Sequence, residues 1–160
     1  MFNAIRILSV WGAALWLGGV IAIGAFAAPT AFHTIATWPG VSDPKVLAGK
    51  IIGNTLRHFN VLCIAAIAFM ILDTALSGRD GKRVRSFGPI FWINSVCVAL
   101  LAVSVATLIM VIFPALDAAQ ISGEMVRFVI LHHSYEIISE LQVLPLVILL
   151  STWTVAQRRH

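Results

Sequence analysis

The sequence predicts an all-α integral membrane protein: a four-helix bundle of two hairpins with both termini in the cytoplasm. Three observations carry this reading. Hydrophobic residues make up 59% of the chain and charged residues 11%, against roughly 25% charged in soluble domains. Four segments reach the ~20 apolar residues a helix needs to cross the hydrocarbon core. Basic residues gather in alternate connections, which sets orientation. At 160 residues the chain makes one domain, 1–160. Its first partner is the lipid bilayer, and the net charge of +4 belongs to orientation-setting loops rather than to nucleic-acid binding.

The spans follow in order. The first is 5–29, IRILSVWGAALWLGGVIAIGAFAAP. Its apolar run exceeds the 7–15 residues or so of a signal-peptide core, so it is expected to be retained. Trp11, Leu15, Gly18, Ala22, Ala25, Pro29 and His33 share one face of it. That face reads as a packing seam, with Gly18 and Ala22 as a small-xxx-small pair. The second span is 51–76, the third 89–113, and the fourth 126–155. Helices are expected throughout because each satisfies its own backbone groups in lipid. Cys63 and Cys97 lie inside apolar runs and read as small buried hydrophobes.

The connections give the orientation. Segment 77–88 carries Arg79, Lys82, Arg83 and Arg85, and the chain ends carry Arg6, Arg158 and Arg159. These are expected on the cytoplasmic side of a bacterial inner membrane. The 30–50 and 114–126 connections, where Lys45, Lys50 and Arg127 are balanced by Asp43, Asp117 and Glu124, are then outside. Pro39-Gly40 and Asp43-Pro44 are turn signals. A short internal repeat supports two similar hairpins. Span one ends in AAPTAFH and span three in IFPALDA, while spans two and four open with LRHF and LHHS.

The fourth span raises the functional question, because LHHSYEIISEL at 131–141 concentrates ionisable groups in a crossing helix. At about 100° per residue, His132, His133, Glu136 and Glu140 fall within one arc bordered by Ser139. An ionisable side chain at the bilayer centre costs about 2.5–3.5 kcal/mol on insertion scales. The arc is therefore expected to face the bundle or a wet cavity, toward span two. His58, with Asn54 one turn earlier, opens span two, and His33 closes span one. The topology brings these histidines to the outer side. Imidazoles with carboxylates on facing helices suit a transition metal such as copper or iron. Alternatively, His58 and His132 could ligate a b-type haem from both faces. His33, Asn54, His133, Glu136 and Glu140 are additional ligands or supporting groups. Two other readings stay open: a cofactor-free accessory subunit of a membrane complex or homo-oligomer, and a small proton or metal transporter. Glu136 could also simply pair with His132, and Glu140 with Arg57 or Arg127. No Walker motif, nucleophile triad, dinucleotide-binding glycine pattern or HExxH is present, so no catalytic role is assigned.

WGAALWLGGVIAIGAFAAPTAF, GNTLRHFN and FVILHHS resemble a family of small four-span bacterial membrane proteins carrying a domain of unknown function. That family is grouped with the copper-resistance protein D superfamily, which also includes a haem-binding protoporphyrinogen oxidase. The resemblance covers the whole chain and implies a four-span fold with Phe128 and His132 opening span four. Relatives carry serine three residues after that histidine and asparagine seven after; here the positions are Tyr135 and Ser139. Glu136, Glu140 and Pro145 lie outside the family pattern.

Overall fold

In the computed structural model, residues 2–79 and 88–157 are described, and all their regular elements are helical. Four continuous helical stretches are long and apolar enough to cross a membrane: Ala4–Ala36, Pro44–Gly78, Gly88–Ser122 and Met125–Thr154. The first comprises α1 (Phe2–Ile21), a π-helical segment (Ala22–Ala27) and α2 (Ala28–Ala36). The second is α3 (Pro44–Arg79). The third comprises α4 (Gly88–Thr107), a second π-helical segment (Leu108–Ile112) and α5 (Phe113–Ser122). The fourth comprises α6 (Met125–Leu141) and α7 (Val143–Gln157). Large apolar side chains such as Trp11, Leu15, Phe26, Val61, Trp92 and Met110 are exposed, as lipid contact requires. The protein is a membrane protein.

Spans one and three run further than the sequence suggests, because neither proline stops its helix. A proline ring clashes with the carbonyl four residues back and removes one hydrogen bond. For Pro29 and Pro114 that carbonyl lies inside a π-helical segment, where the widened turn absorbs the clash. The helices then continue as α2 and α5, each with proline in its first turn. The expected long connections shrink to 37–43 and to Gly123-Glu124. Gly40 and Gly123 adopt positive φ in these turns, 85° and 73°, where a Cβ would be strained. Pro44 starts α3, and Asp43 Oδ1 accepts from Val46 N–H at 3.2 Å, an N-cap arrangement.

At the end of the bundle where α1 begins and α7 finishes, the terminal end, the four spans close on one another. Here α1 packs on α3 and α7, and α4 packs on α3 and α7. The core between them draws on every span, with Trp16, Met70, Leu101, Leu146 and Leu149 each almost fully buried. The approach of α1 to α3 is made by Gly12 and Gly19. A Cβ at Gly12 would lie 3.0 Å from Ala66 Cβ, and one at Gly19 would overlap the Phe59 ring. The expected Gly18/Ala22 seam is not the packing face: Gly18 has no neighbour within 4 Å of a Cβ. The whole face from Trp11 to His33 is exposed. Tryptophan and leucine on that stripe suit lipid, whereas close helix contact selects whichever glycines meet bulky side chains opposite.

Two polar contacts tie the spans inside the bundle. Pro145 interrupts the fourth span at Gln142, between α6 and α7. There Gln142 is buried, accepts from Trp16 Nε1–H at 3.2 Å and donates to Ser104 Oγ at 3.0 Å. One side chain thus joins spans one, three and four. At the terminal end, Arg6 lies 3.7 Å from the buried Asp73 carboxylate and 5.9 Å above the Trp153 ring. Of the orientation-setting cations, Lys82, Arg83, Arg85, Arg158 and Arg159 lie outside the described residues.

Candidate functional site

At the other, distal end the bundle is looser, because α3 packs there on α2 while α5 packs on α6. Between these two pairs lies a cavity of about 580 Å³, within the roughly 300–1,000 Å³ of small-molecule sites. Its walls are mostly apolar: Phe32 from α2, Ile52 and Leu56 from α3, Phe113 and Leu116 from α5, Phe128 from α6. Its charge lies toward the start of α3, where Lys45 and Lys50 line it. Arg57 also lines it, paired with Asp117 across the cavity and 5.8 Å above the Phe113 ring. That pair joins α3 to α5, but both partners are half exposed and the stabilisation is about 0–1 kcal/mol.

Tyr135 forms the inner part of the site. It lines the cavity, is only 7% exposed, and packs its ring 5.5 Å from that of Phe113. Leu108 and Ile112, from the second π-helical segment, bury it from below. Its hydroxyl faces Ser139, one turn on, and Asn60 from α3. Asn60 is 5% exposed.

The sequence-derived site residues separate in space. His132 lines the cavity, with Phe128 stacked parallel to its ring at 6.1 Å. Its Nε2 lies 3.4 Å from Glu136 Oε1. Asn54 also lines the cavity. His58 is exposed, with Nδ1 3.0 Å from the Asn54 carbonyl oxygen, and is not one of the lining residues. His133 is exposed, with Nδ1 3.3 Å from Glu136 Oε2. Glu140 and His33 are exposed. Among the described residues, no group of three or more His, Cys, Asp or Glu is placed to hold a metal ion.

Of the expected arc, His132 meets the cavity, whereas His133, Glu136 and Glu140 are exposed and do not turn into the bundle. The inward face of α6 is Leu131, Tyr135 and Ile138, leading to Gln142. The reason is depth. Span two carries no Asp, Glu, Lys or Arg between Arg57 and Asp73, and span four none between Glu140 and Arg158. Those belts measure about 24 and 27 Å at 1.5 Å per residue, close to the ~30 Å hydrocarbon thickness. Arg57 and Glu140 thus mark its edge, and His132, His133 and Glu136 stand in the interfacial zone, where exposure is tolerable. The alternative pairing of Glu140 with Arg57 or Arg127 is not formed: Arg57 pairs with Asp117, and Arg127 with Glu124 at 3.3 Å.

Sequence reasoning missed Tyr135, Asn60 and Gln142. A signal was present: Leu131, Tyr135, Ile138 and Gln142 follow the three-and-four spacing of a buried face, opposite the charged arc. Lys45 and Lys50 read as loop charges in the sequence, but α3 begins at Pro44 and carries both.

No curated protein and no solved structure matches this chain. One family profile does, over residues 11–120. The matched stretch includes Lys45, Lys50, Arg57, Asn60 and Asp117 and stops before the span carrying His132 and Tyr135. Its description is a domain of unknown function (DUF4149), and the chain belongs to that family.

Proposed function

We propose that this chain is a binding subunit of a bacterial inner membrane, kin to the copper-resistance protein D-like superfamily, with its site on the outer face. The ligand is an amphipathic molecule bearing an acidic group. One observation carries the reading: an apolar-walled cavity with two lysines along one side, the Arg57 charge being matched by Asp117. Such a cavity desolvates a hydrocarbon body while leaving an anion near cations, which favours an acidic amphiphile over a neutral or cationic one. The orientation follows from Arg6, Arg79 and the basic residues of 80–88 and the C-terminus, which keep the terminal end cytoplasmic.

Haem b is one member of this ligand class, with a planar apolar body and two carboxylates. His132 is the ring at the cavity that could ligate its iron. His58 lies outside the cavity lining, so a haem seated there would take its one imidazole from His132. The test is made on the detergent-purified full chain. Octadecanoate binding and a visible absorption spectrum are measured for wild type and for the Lys45→Gln/Lys50→Gln double variant. The expected result is saturable octadecanoate binding that weakens about tenfold in the double variant, a loss of about 1.4 kcal/mol. A Soret band abolished by His132→Ala would identify haem as the resident ligand. Absence of both saturable binding and a Soret band contradicts the proposal.

A second reading, an accessory subunit of a larger assembly, draws on the exposed His133, Glu136 and Glu140. A partner helix with basic side chains would complement that face of α6.

A further inference from the structure

We infer that Asp117 is a built-in competitor for the ligand's acidic group: it pairs with Arg57, and the ligand's anion takes its place there. This rests on the cavity being the binding site, as proposed above. The starting observation is a shared helix face. Lys50, Asn54 and Arg57 stand at i, i+4 and i+7 on α3, so they follow one line along the helix, and all three line the cavity. Arg57 lies about 10.5 Å further along that line than Lys50 at 1.5 Å per residue. It is thus the next cation an anion meets after the lysines. Across the cavity, Asp117 is the one acidic side chain among the lining residues, and it is the partner of Arg57.

The pair is built to exchange. Both side chains are about half exposed, 51% and 46%, and an ion pair in that setting is weak. Once released, the Asp117 carboxylate is solvated where it stands. The Arg57 guanidinium lies 5.8 Å above the Phe113 ring, a cation–π contact that keeps it at the wall whichever carboxylate it holds. Its fork of N–H donors takes one carboxylate as well as another, so the exchange conserves hydrogen bonds. Lys50 sets the direction. Its long side chain and that of Arg57 can bend toward one mobile anion, which then gains from both charges. A neutral amphiphile offers Arg57 nothing and leaves the pair intact. The pair also joins α3, which packs on α2, to α5, which packs on α6. An acid therefore unties the two walls of the cavity, and a neutral ligand does not.

The test titrates octadecanoate and octadecan-1-ol into the detergent-purified full chain as wild type, Asp117→Asn, Arg57→Gln and the double variant. Asp117→Asn is expected to bind octadecanoate about fivefold more tightly than wild type, the gain from dissolving an exposed ion pair. Octadecan-1-ol, with no anion to exchange, shows no such gain. In the Arg57→Gln background, adding Asp117→Asn brings no gain for either ligand. Asp117→Ala serves the same comparison should the asparagine variant fail to purify. An unchanged octadecanoate affinity in the Asp117 variant overturns the exchange alone. So does an equal gain for octadecan-1-ol, which would make the pair a strap on the cavity. A full gain in the Arg57→Gln background does the same, since it would reduce Asp117 to plain charge repulsion. Absence of saturable octadecanoate binding in wild type and in every variant overturns the cavity reading as well.

Discussion

Glycines in span one show how packing is decided residue by residue. Gly18 and Gly19 are adjacent and chemically identical, but a Cβ on Gly18 meets open space and one on Gly19 meets Phe59. Gly19→Ala is expected to push Phe59 out of place and cost about 1–3 kcal/mol as overpacking. Gly18→Ala is expected to be neutral or slightly stabilising, since alanine is the better helix former by about 0.8–1.0 kcal/mol. Thermal unfolding in detergent separates them: a lower midpoint for Gly19→Ala and not for Gly18→Ala. Equal midpoints would contradict the assigned packing face. The sequence could not rank the two glycines, because the ranking depends on Phe59 of another helix. The same limit applied in span four. There the ionisable residues were conspicuous, but burial went to Tyr135, Leu131 and Ile138. His132 was legible as a residue of the distal end; the cavity it lines was not, since its walls come from four spans that meet only in three dimensions.

Helical elements were largely legible, and their ends were not. Apolar length alone located all four spans, because lipid leaves a single chain few other ways to satisfy its backbone. The errors at Pro29 and Pro114 come from reading proline as a stop, when a π-helical turn lets each helix pass through it. This predicts that Pro29→Ala and Pro114→Ala will restore regular i→i−4 hydrogen bonding around residues 22–27 and 108–112. Amide hydrogen exchange should slow in those segments relative to wild type. Unchanged or faster exchange would separate the π-helical turns from their prolines. The extension matters for the site, since Phe32, Phe113 and Leu116 line the cavity from beyond or beside these turns. Helices that stopped at proline would leave it without two of its walls.

Across the whole molecule, tight closure at the terminal end and looseness at the distal end divide the bundle into a scaffold and a cavity. The positive-inside distribution predicts that the cavity faces away from the cytoplasm. Single cysteines replacing Ser42 and Ser86 in a background lacking Cys63 and Cys97 would test this in intact cells. A membrane-impermeant thiol reagent should label position 42 and spare position 86, and the reverse pattern would invert the protein. The account's central claim is that the distal cavity holds an acidic amphiphile, and native mass spectrometry of the full chain released from detergent tests it most directly. The prediction is a one-to-one adduct with octadecanoate that survives in Gly18→Ala and is lost in Lys45→Gln/Lys50→Gln. No adduct with wild type, or an equal adduct with the double lysine variant, would contradict it.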